Sequence, residues 1–463
     1  MIPPDGQPIL SAAQMRAAED TAIAGGTTVG ALMQRAGEGI AAAALRLGAG
    51  AEVIVVCGPG NNGGDGYVTA TALRRRGITV RVAADAESRT TAARSARAAW
   101  DGMIEPLVSA RPAPILIDCL FGTGLSRVLP PDTDAALARL AGAARLIIAA
   151  DLPSGIDADS GKVPNWAKRH PATLTLALGA LKPAHVLEPA ATACGTTRLI
   201  DLNLRDRPTE VRHFTQPVLP HPGPESHKYT RGMVAVVAGA MEGAARLAGI
   251  AALRSGAGYV ALYGGSGHGG PDALVHRPYD VEALAERRIG AILIGLGLGR
   301  DDEGRGRLEA LIAADTHALV IDGDALHLVD LDTLARRRRP VILTPHAGEF
   351  RALFGDLSGS LIEQTQAGAR RTRATVVLKG PTTIVASPAG TIVHPHGNPW
   401  LSTAGTGDVL AGTVAAQLAH DGTDPLAAAS AGVWLHGEAA RRIGASFIAD
   451  DLANALTPVR AGA

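Results

Sequence analysis

The chain has 463 residues, more than one hydrophobic core usually serves, so we expect two domains. Hydrophobic residues make up 46% and charged residues 19% of it, which excludes an intrinsically disordered chain. The formal net charge is zero, so we expect neither nucleic acid nor an anionic membrane as a partner.

The cysteines and the N-terminus predict the compartment. Cys57, Cys119 and Cys194 form no C-x-x-C pair, which is typical of reduced thiols in a cytoplasmic protein. Residues 1–20 lack a basic segment followed by an apolar one, so we expect no signal peptide. Glycine, proline or charge interrupts every long apolar stretch, so we expect no membrane span.

The first half predicts two helices followed by strands that alternate with helices. Ser11 can cap a helix over 12–24, and Thr27 or Thr28 can cap the next one. Apolar strands separated by helices predict a doubly wound, Rossmann-like parallel sheet with helices on both faces. The strand candidates are residues 51–57, 78–84, 114–120, 145–151, 172–178 and 196–202.

Residues 205–230 interrupt this pattern. The segment contains five prolines and no sustained periodicity, so we place a domain boundary in it, with domains over 1–212 and 213–463. A second alternating series follows and ends in two Ala-rich helices. The two halves share no evident repeat, so we interpret them as two different α/β domains that are fused.

Polar residues follow three strands of the first domain, where a doubly wound sheet binds its ligands. They lie in "GPGNNGGDG" (58–66), in the stretch from Asp118 to Leu125, and in the stretch from Asp151 to Asp157. None of the three contains Lys or Arg, so backbone amides would bind phosphate and side-chain oxygens a cation or a hydroxyl. Taken singly, each is equally consistent with a tight turn or a cap.

In this order and spacing, the three stretches resemble the N-terminal domain of the NAD(P)H-hydrate repair enzymes. The similarity extends over roughly residues 11–205 and includes "LKPAH" at 181–185. It implies an epimerase that interconverts the R and S hydrates of NADH and NADPH (NADHX and NADPHX, together NAD(P)HX). It also implies that the hydrate is contacted by Asn61, Asn62, Gly63, Gly64, Asp65, Gly122, Thr123, Gly124, Leu125, Ser126, Arg127 and Val128.

The same resemblance implies a potassium ion bound by Asn62, Asp118 and Ser154, and it places Asp151 against the substrate. We assign Asp151 as the acid/base. The damaged carbon is a hemiaminal, whose inversion requires proton transfer while the C–O or C–N bond opens and closes again, and a positioned carboxylate can carry that proton.

The second domain contains "TAGTGDVLAG" at 403–412, a small-residue loop that opens an apolar helix. The free N–H groups of such a helix start attract a phosphate, and Asp408 in the first turn would lie near its attacker. The simpler alternative is that Asp408 only stabilises the helix dipole.

The "GTGD" start of this helix resembles the ribokinase-like fold, in which that aspartate deprotonates an attacking hydroxyl. Further stretches, among them "TPHAGEF" (344–350) and "LKGPTT" (378–383), resemble the ADP- or ATP-dependent NAD(P)H-hydrate dehydratases over roughly residues 222–460. The resemblance implies that Ala257, Gly297, His346 and Asp408 contact the S-hydrate. It implies that ADP is contacted by Lys379, Gly380, Pro381, Thr382, Thr383 and Gly407.

The implied reaction transfers a phosphate group from ADP to the hydrate hydroxyl and releases AMP. Expulsion of that phosphate then regenerates NADH or NADPH. ATP would instead transfer its γ-phosphate, and Mg²⁺ would neutralise the charge of the transferring phosphate. Trp400 and Leu401 depart from the family pattern beside this loop. We therefore expect a cytoplasmic, homo-oligomeric, bifunctional epimerase and dehydratase. The alternative is a vitamin or sugar kinase with a non-catalytic ligand-binding module at its N-terminus.

Overall fold

The computed structural model describes residues 1–124, 128–164, 170–204, 207–265, 267–395, 397–420 and 422–462. The chain divides into two compact units, Met1–His213 and Phe214–Ala463. The division falls inside the proline-rich segment 205–230, and each unit is described by itself.

The first unit contains six helices and eight strands among its described residues. The helices are α1 Ala12–Ala24, α2 Val29–Gly48, α3 Asn61–Arg75, α4 Thr91–Ala98, α5 Pro131–Ala143 and α6 Ala190–Cys194. The strands are β1 Val53–Cys57, β2 Val80–Ala84, β3 Ile104–Pro106, β4 Ile115–Cys119, β5 Leu146–Ala150, β6 Leu174–Leu178, β7 Thr196–Ile200 and β8 Val211–His213.

Seven of these strands form one parallel sheet in the order β3-β2-β1-β4-β5-β6-β7. Val53 and Val55 pack against α2 and α3, whereas Ile54 and Val56 pack against α5, so both faces of the sheet are covered. The strand order reverses between β1 and β4. A ligand is therefore expected beyond the carboxyl ends of these two strands.

The first two helices begin where the sequence predicts. Ser11 caps α1 in a capping box with Gln14, in which the Ser11 hydroxyl accepts from the Gln14 N–H at 3.2 Å. Thr28, one of the two predicted caps, accepts from the Ala31 N–H at the start of α2.

The second unit contains nine strands and nine helices among its described residues. The strands are β9 Met233–Val237, β10 Tyr259–Tyr263, β11 Leu274–Arg277, β12 Ala291–Ile294, β13 Ala318–Ile321, β14 Val341–Leu343, β15 Thr375–Leu378, β16 Thr383–Ser387 and β17 Gly390–His394. The helices are α7 Glu242–Arg254, α8 Asp302–Ala314, α9 Asp324–Leu328, α10 Leu331–Leu334, α11 Ala347–Phe354, α12 Leu361–Thr372, α13 Thr406–Leu418, α14 Pro425–Ile443 and α15 Ala449–Ala461.

Within this unit the strand order is β11-β10-β9-β12-β13-β14-β15-β16-β17. Strands β9 to β15 run parallel, and the hairpin β16–β17 continues the sheet antiparallel. The order reverses between β9 and β12, so here too the expected ligand position lies beyond the ends of these strands. The predicted mixed α/β class is confirmed, with a doubly wound parallel sheet followed by a ribokinase-like unit.

A search for a helix able to cross the bilayer finds none within the described ranges.

Candidate active sites

The glycines at the switch point of the first unit let three backbone segments pack closely. A Cβ atom on Gly58 would lie 1.8 Å from the Leu120 carbonyl oxygen, and one on Gly63 would lie 1.8 Å from the Gly58 carbonyl oxygen. The start of α3 is thereby pressed against the loop after β4. Gly60 precedes α3 without a side-chain cap, so the first N–H groups of the helix are available to an anion.

Asp151 forms a buried ion pair at this switch point. Its Oδ1 lies 2.5 Å from Lys182 Nζ, and the two side chains are 8% and 1% exposed. Lys182 Nζ also donates to the carbonyl oxygens of Leu178 and Ala180, at 2.7 and 3.1 Å. The ammonium is therefore fully engaged and fixes one oxygen of the carboxylate.

The other oxygen of Asp151 faces the turn at Gly122. Oδ2 accepts from the Thr123 N–H at 3.3 Å, and a Cβ on Gly122 would lie 2.9 Å from it. Burial opposes ionisation, but Lys182 and His185 together hold the pKa of Asp151 below its ordinary value. Asp151 also has φ 65°, a left-handed conformation that a non-glycine residue adopts at a cost and that is concentrated at functional sites.

His185 is hydrogen-bonded to the backbone of both members of this pair. Its Nδ1 accepts from the Lys182 N–H at 2.8 Å, so Nε2 carries the proton and donates to the Asp151 carbonyl oxygen at 2.6 Å. Burial, followed by the charge of Lys182, lowers the pKa of His185 to about 4, so the ring is neutral. Lys182 and His185 come from the "LKPAH" stretch, for which the sequence analysis predicted no catalytic role.

The structure brings Asp118 and Ser154 together. Asp118 Oδ1 accepts from the Ser154 hydroxyl at 2.6 Å, and Oδ2 accepts from the Ser154 N–H at 2.8 Å. The Ser154 hydroxyl also accepts from the Phe121 N–H at 2.9 Å. The pair therefore connects the loops after β4 and β5 and holds the turn that faces Asp151.

Asn62 faces the same turn as Asp151 Oδ2. Both its amide nitrogen and its amide oxygen are buried without a hydrogen-bond partner, which is costly unless a ligand satisfies them. A Cβ on Gly122 would lie 3.5 Å from Asn62 Cγ. Amide, carboxylate and hydroxyl oxygens such as those of Asn62, Asp118 and Ser154 are the ligand types that suit a hard cation such as K⁺. Among the described residues no cluster of three or more His, Cys, Asp or Glu forms a metal site.

Asp65 adds a second carboxyl group near Asp151. It is buried in α3, and burial, followed by the charges of Asp151 and Glu19, raises its pKa well above the ordinary value. Burial likewise raises the pKa of Glu19, on α1. Two carboxyl groups with pKa values displaced in opposite directions are the arrangement expected of an acid and a base.

The remaining predicted contacts of the first site divide into three groups. Asn61 accepts from the Thr90 hydroxyl at 2.6 Å, and Gly64 is packed against Met33, so both contact protein. Gly124 and Val128 are exposed at the ends of the described turn. Leu125, Ser126 and Arg127 lie outside the described residues. A groove of about 860 Å³ beginning at Asn61 lies between α2, α3 and α4.

In the second unit, α13 begins with an open N-terminus. Gly405 has φ 86° and provides no side-chain cap, so the N–H groups that follow are available to a phosphate. The Thr406 hydroxyl donates to the carbonyl oxygens of Leu401 and Thr403, and buried His436 Nε2 lies 2.9 Å from the Thr406 carbonyl oxygen. These contacts fix the loop that the sequence identified.

Lys379 faces the start of α13. Its Nζ lies 2.9 Å from Asp322 Oδ1 and 3.9 Å from Glu349 Oε2, and a Cβ on Gly407 would lie 3.7 Å from it. Burial disfavours its charge, but Asp322, Glu349 and Asp408 raise the pKa of Lys379, which therefore stays an ammonium. Asp322, whose role the sequence left open, thus positions this ammonium.

Asp408 has the pKa of a general base. Burial and then the charge of Asp322 raise its pKa to about 6, against a smaller opposing effect of Lys379. At neutral pH it is a carboxylate that accepts a proton more readily than an ordinary aspartate. A carboxylate that only stabilised the helix dipole would not require a raised pKa.

His346 and Gly297 lie at the same edge of the sheet, beyond β14 and β12. His346 caps α11, where its Nδ1 accepts from the N–H groups of Gly348 and Glu349, so Nε2 carries the proton. Gly297 has φ 58°, and its carbonyl oxygen accepts from the Met241 N–H at 3.1 Å. The loop before α7 therefore joins this edge, which the sequence did not indicate.

Ala257 is not brought to this group. It precedes β10 and is 4% exposed in the core, whereas Gly297, Asp322 and Lys379 follow their strands. Since these strands are parallel, Ala257 lies at the opposite edge of the sheet. A residue at that edge is far from Asp408, so the predicted contact of Ala257 with a hydrate bound there does not fit. Met241, which follows β9, lies instead at the edge that holds Gly297.

The comparisons with known proteins cover both units. Residues 29–184 match the family model of the YjeF-related protein N-terminus, and residues 234–458 match that of the NAD(P)H-hydrate dehydratases. A bifunctional NAD(P)H-hydrate repair enzyme Nnr of Mycobacterium tuberculosis (strain CDC 1551 / Oshkosh) is 37% identical over 413 residues, covering 84% of this chain and 85% of the relative.

The Salinibacter ruber enzyme of the same name is 33% identical over 532 aligned residues, covering 98% of this chain and 96% of the relative. Among solved structures, the ADP/ATP-dependent NAD(P)H-hydrate dehydratase from Bacillus subtilis, co-crystallised with ATP and Mg²⁺, is 30% identical. It covers 52% of this chain and 93% of its own, with a TM-score of 0.44.

Two doubly wound α/β units, one with an ion-paired carboxylate and one with a phosphate-accepting helix, define a two-site enzyme acting on nucleotides. More closely, the chain belongs to the family of the bifunctional NAD(P)H-hydrate repair enzymes, which the identity to relatives over most of its length shows. The kinase alternative is not favoured.

Proposed function

We propose that the first unit is the epimerase and that Asp151 is its acid/base. The supporting observation is that one carboxylate oxygen is held by Lys182 while the other faces the Gly122 turn. Asp151 Oδ2 takes the hydroxyl proton of the hemiaminal as the C–N bond of the ring opens at the damaged carbon. It returns the proton after the ring closes from the opposite face.

Asn62, Asp118 and Ser154 would hold K⁺ at this site, and the bound cation would supply positive charge for substrate oxygens. The Asn62 amide, unpartnered and buried, would pair with substrate or cation and orient the hydrate. Lys182 keeps Asp151 ionised, and Asp65, whose pKa is raised by burial, is the carboxyl group of the two that more readily holds a proton.

We propose that the second unit is the dehydratase and that Asp408 is its base. Asp408 takes the hydrate hydroxyl proton, the oxygen attacks the β-phosphorus of ADP, and AMP leaves; the ring nitrogen lone pair then expels phosphate, giving NADH or NADPH. With ATP, the γ-phosphate transfers and ADP leaves. The α13 N–H groups and Lys379 bind the transferring phosphate, and Mg²⁺, when bound, neutralises phosphate charge.

The compartment and assembly are proposals of the same kind. Cys57, Cys119 and Cys194 are all buried and unpaired, which supports a reducing, cytoplasmic setting. We propose a homo-oligomer, to be checked by light scattering on the purified chain.

Absorbance at 340 nm on mixed R- and S-NADHX, with ADP, Mg²⁺ and K⁺, tests both assignments. The wild type should return the whole pool to NADH, faster than spontaneous epimerisation allows. Asp151→Asn should return only the S fraction at the normal rate, and Asp408→Asn should return none. Full-speed recovery of the whole pool by Asp151→Asn would remove this residue from the mechanism.

A further inference from the structure

A second cavity of the ribokinase-like unit lies where its strands begin, at the edge of the sheet opposite Asp408. Its volume is about 530 Å³, within the range of small-molecule sites. The ends of α7 and α15, His420 two residues after α13, and the segments before β9 and β11 line it. Neither proposed active site includes any of its lining residues.

The lining of this cavity is strongly basic. Arg231, Arg254 and Arg460 contribute to it together with His221 and His420, and no Asp or Glu is found among its described lining residues. None of the three arginines forms an ion pair with a carboxylate of the described chain. Arg231 is exposed, whereas Arg254 and Arg460 are half-buried.

The guanidinium groups are instead held by neutral groups of the chain. Arg231 Nη2 donates to the Gly256 carbonyl oxygen at 3.4 Å, and Arg460 Nη2 donates to the Pro220 carbonyl oxygen. A Cβ on Gly256 would lie 3.0 Å from Arg460 Nε, so Gly256 lets Arg460 approach the segment that holds Arg231. The two cations are thereby kept on the same wall.

Two buried nitrogens at this wall have no hydrogen-bond partner, Arg460 Nε and His420 Nε2. Burial, followed by the charge of Arg231, lowers the pKa of Arg460. Burial and the two arginines also lower the pKa of His420, which is therefore neutral at pH 7. Burial and the neighbouring guanidinium groups thus both disfavour positive charge at this wall.

Helix capping is the alternative explanation, because α7 and α15 end here and carbonyl ends attract cations. Capping does not account for Arg460 Nε and His420 Nε2, which are buried at this wall and make no hydrogen bond with these carbonyl groups. An anion would accept charge-assisted bonds from the arginine side chains.

We propose that this cavity binds a phosphorylated small molecule, with its phosphate between Arg231 and Arg460 and its apolar part against Ile250 and Leu253. The site is separate from the nucleotide site at Asp408, so it would act as a regulatory or anchoring site. The proposal does not depend on which reaction the unit catalyses.

Hydrogen–deuterium exchange on the full chain, with inorganic pyrophosphate as the probe, tests the proposal because it localises binding. Pyrophosphate should slow exchange in residues 220–231 and 452–461, compared with sodium chloride at equal ionic strength. Arg231→Gln and Arg460→Gln should each raise the half-saturating concentration for this protection by about tenfold or more. Any protection at 403–412 should stay unchanged.

Arg442→Gln is the matched control. Arg442 also donates to an α15 carbonyl oxygen, that of Pro458 at 3.1 Å, but it pairs with Glu438 and does not line the cavity. This variant should bind pyrophosphate like the wild type, and unchanged exchange elsewhere shows that each variant is folded.

Absence of protection in the wild type, or equal protection in Arg231→Gln, overturns the proposal. Protection of 220–231 that appears without anion and grows with protein concentration also overturns it, because the cavity would then receive an acidic group of a second copy.

Discussion

Asp151 is one member of a buried ion pair, and no role was predicted from the sequence for the other member, Lys182. The ion pair is almost fully buried, and its members are further held by Leu178, Ala180 and His185. Removing either charge leaves the other uncompensated in the interior, which costs more than the net stability of the pair itself.

A double-mutant cycle on this pair separates positioning from stability. Lys182→Met and Asp151→Asn should each lower the free energy of unfolding, Lys182→Met by about 3–5 kcal/mol. The double variant should be less destabilised than the sum of the two, because no lone buried charge remains. Denaturant unfolding measures stability, and R-NADHX recovery measures epimerisation. Additive losses of stability would contradict the coupling.

The Asp151–Lys182 pair should also make the free energy of unfolding depend on pH in the acidic range. The folded pKa of Asp151 lies below its ordinary value of about 3.9, so its stabilisation is complete above that pH and is lost as the pH falls through the folded pKa. The stability difference between wild type and the double variant, measured by denaturation at several pH values, should therefore shrink at strongly acidic pH. A constant difference would contradict this sign.

Protonation of Asp408 should determine how the kcat/KM for dehydration falls at acidic pH. Its pKa of about 6 means that the basic form is lost below that pH. The kcat/KM for S-NADHX should therefore fall about tenfold per pH unit on the acid side. In Asp322→Asn the inflection should move to lower pH, because the repelling carboxylate is gone. An inflection that stays in place would assign the titration to another group.

At the level of elements, the start of α3 shows why its glycines are there. The glycine-rich stretch looked like a phosphate-binding backbone, yet Gly58 and Gly63 are required because a Cβ on either would overlap a carbonyl oxygen. Their immediate role is to let α3 and the β4 loop approach each other. The open N–H groups at the helix start are a consequence of that packing.

Gly63→Ala should therefore destabilise the first unit, with Gly60→Ala as its matched control. Overpacking at Gly63 is expected to cost about 1–3 kcal/mol or more. A Cβ on Gly60 meets nothing within 4 Å, and Gly60 has φ −93°, so alanine fits there. Thermal unfolding of the two variants checks this, and equal melting temperatures would contradict it.

Most of the strands and helices predicted from the sequence agree with the structure. Apolar strands such as Val53–Cys57 and capped helices such as α1 carry their signals within a few residues. The placement of Ala257 failed because a sequence motif does not state at which edge of a sheet it lies. Only the parallel direction of β10 shows that a residue before the strand is far from those after β13 and β15.

At the scale of the whole chain, each unit carries its own site, so the two reactions should be separable. Asp151→Asn retains the second site and Asp408→Asn retains the first. A mixture of the two variants should recover R-NADHX, because the S-hydrate released by one chain can diffuse to the other. Recovery that stays at the level of Asp151→Asn alone would contradict exchange through solution.

The sequence by itself determined the class of both folds, because strand periodicity and the loops after strands are local signals, and its motifs carried the resemblance to the family. Tertiary structure decided which distant groups act on the predicted site residues. Lys182 and His185 reach Asp151, and Asp322 and Glu349 reach Lys379, through contacts between segments that are apart in the chain; the charge of Arg231 likewise acts on Arg460. Burial and charge at those contacts set the protonation states, and neither is visible until the chain is folded.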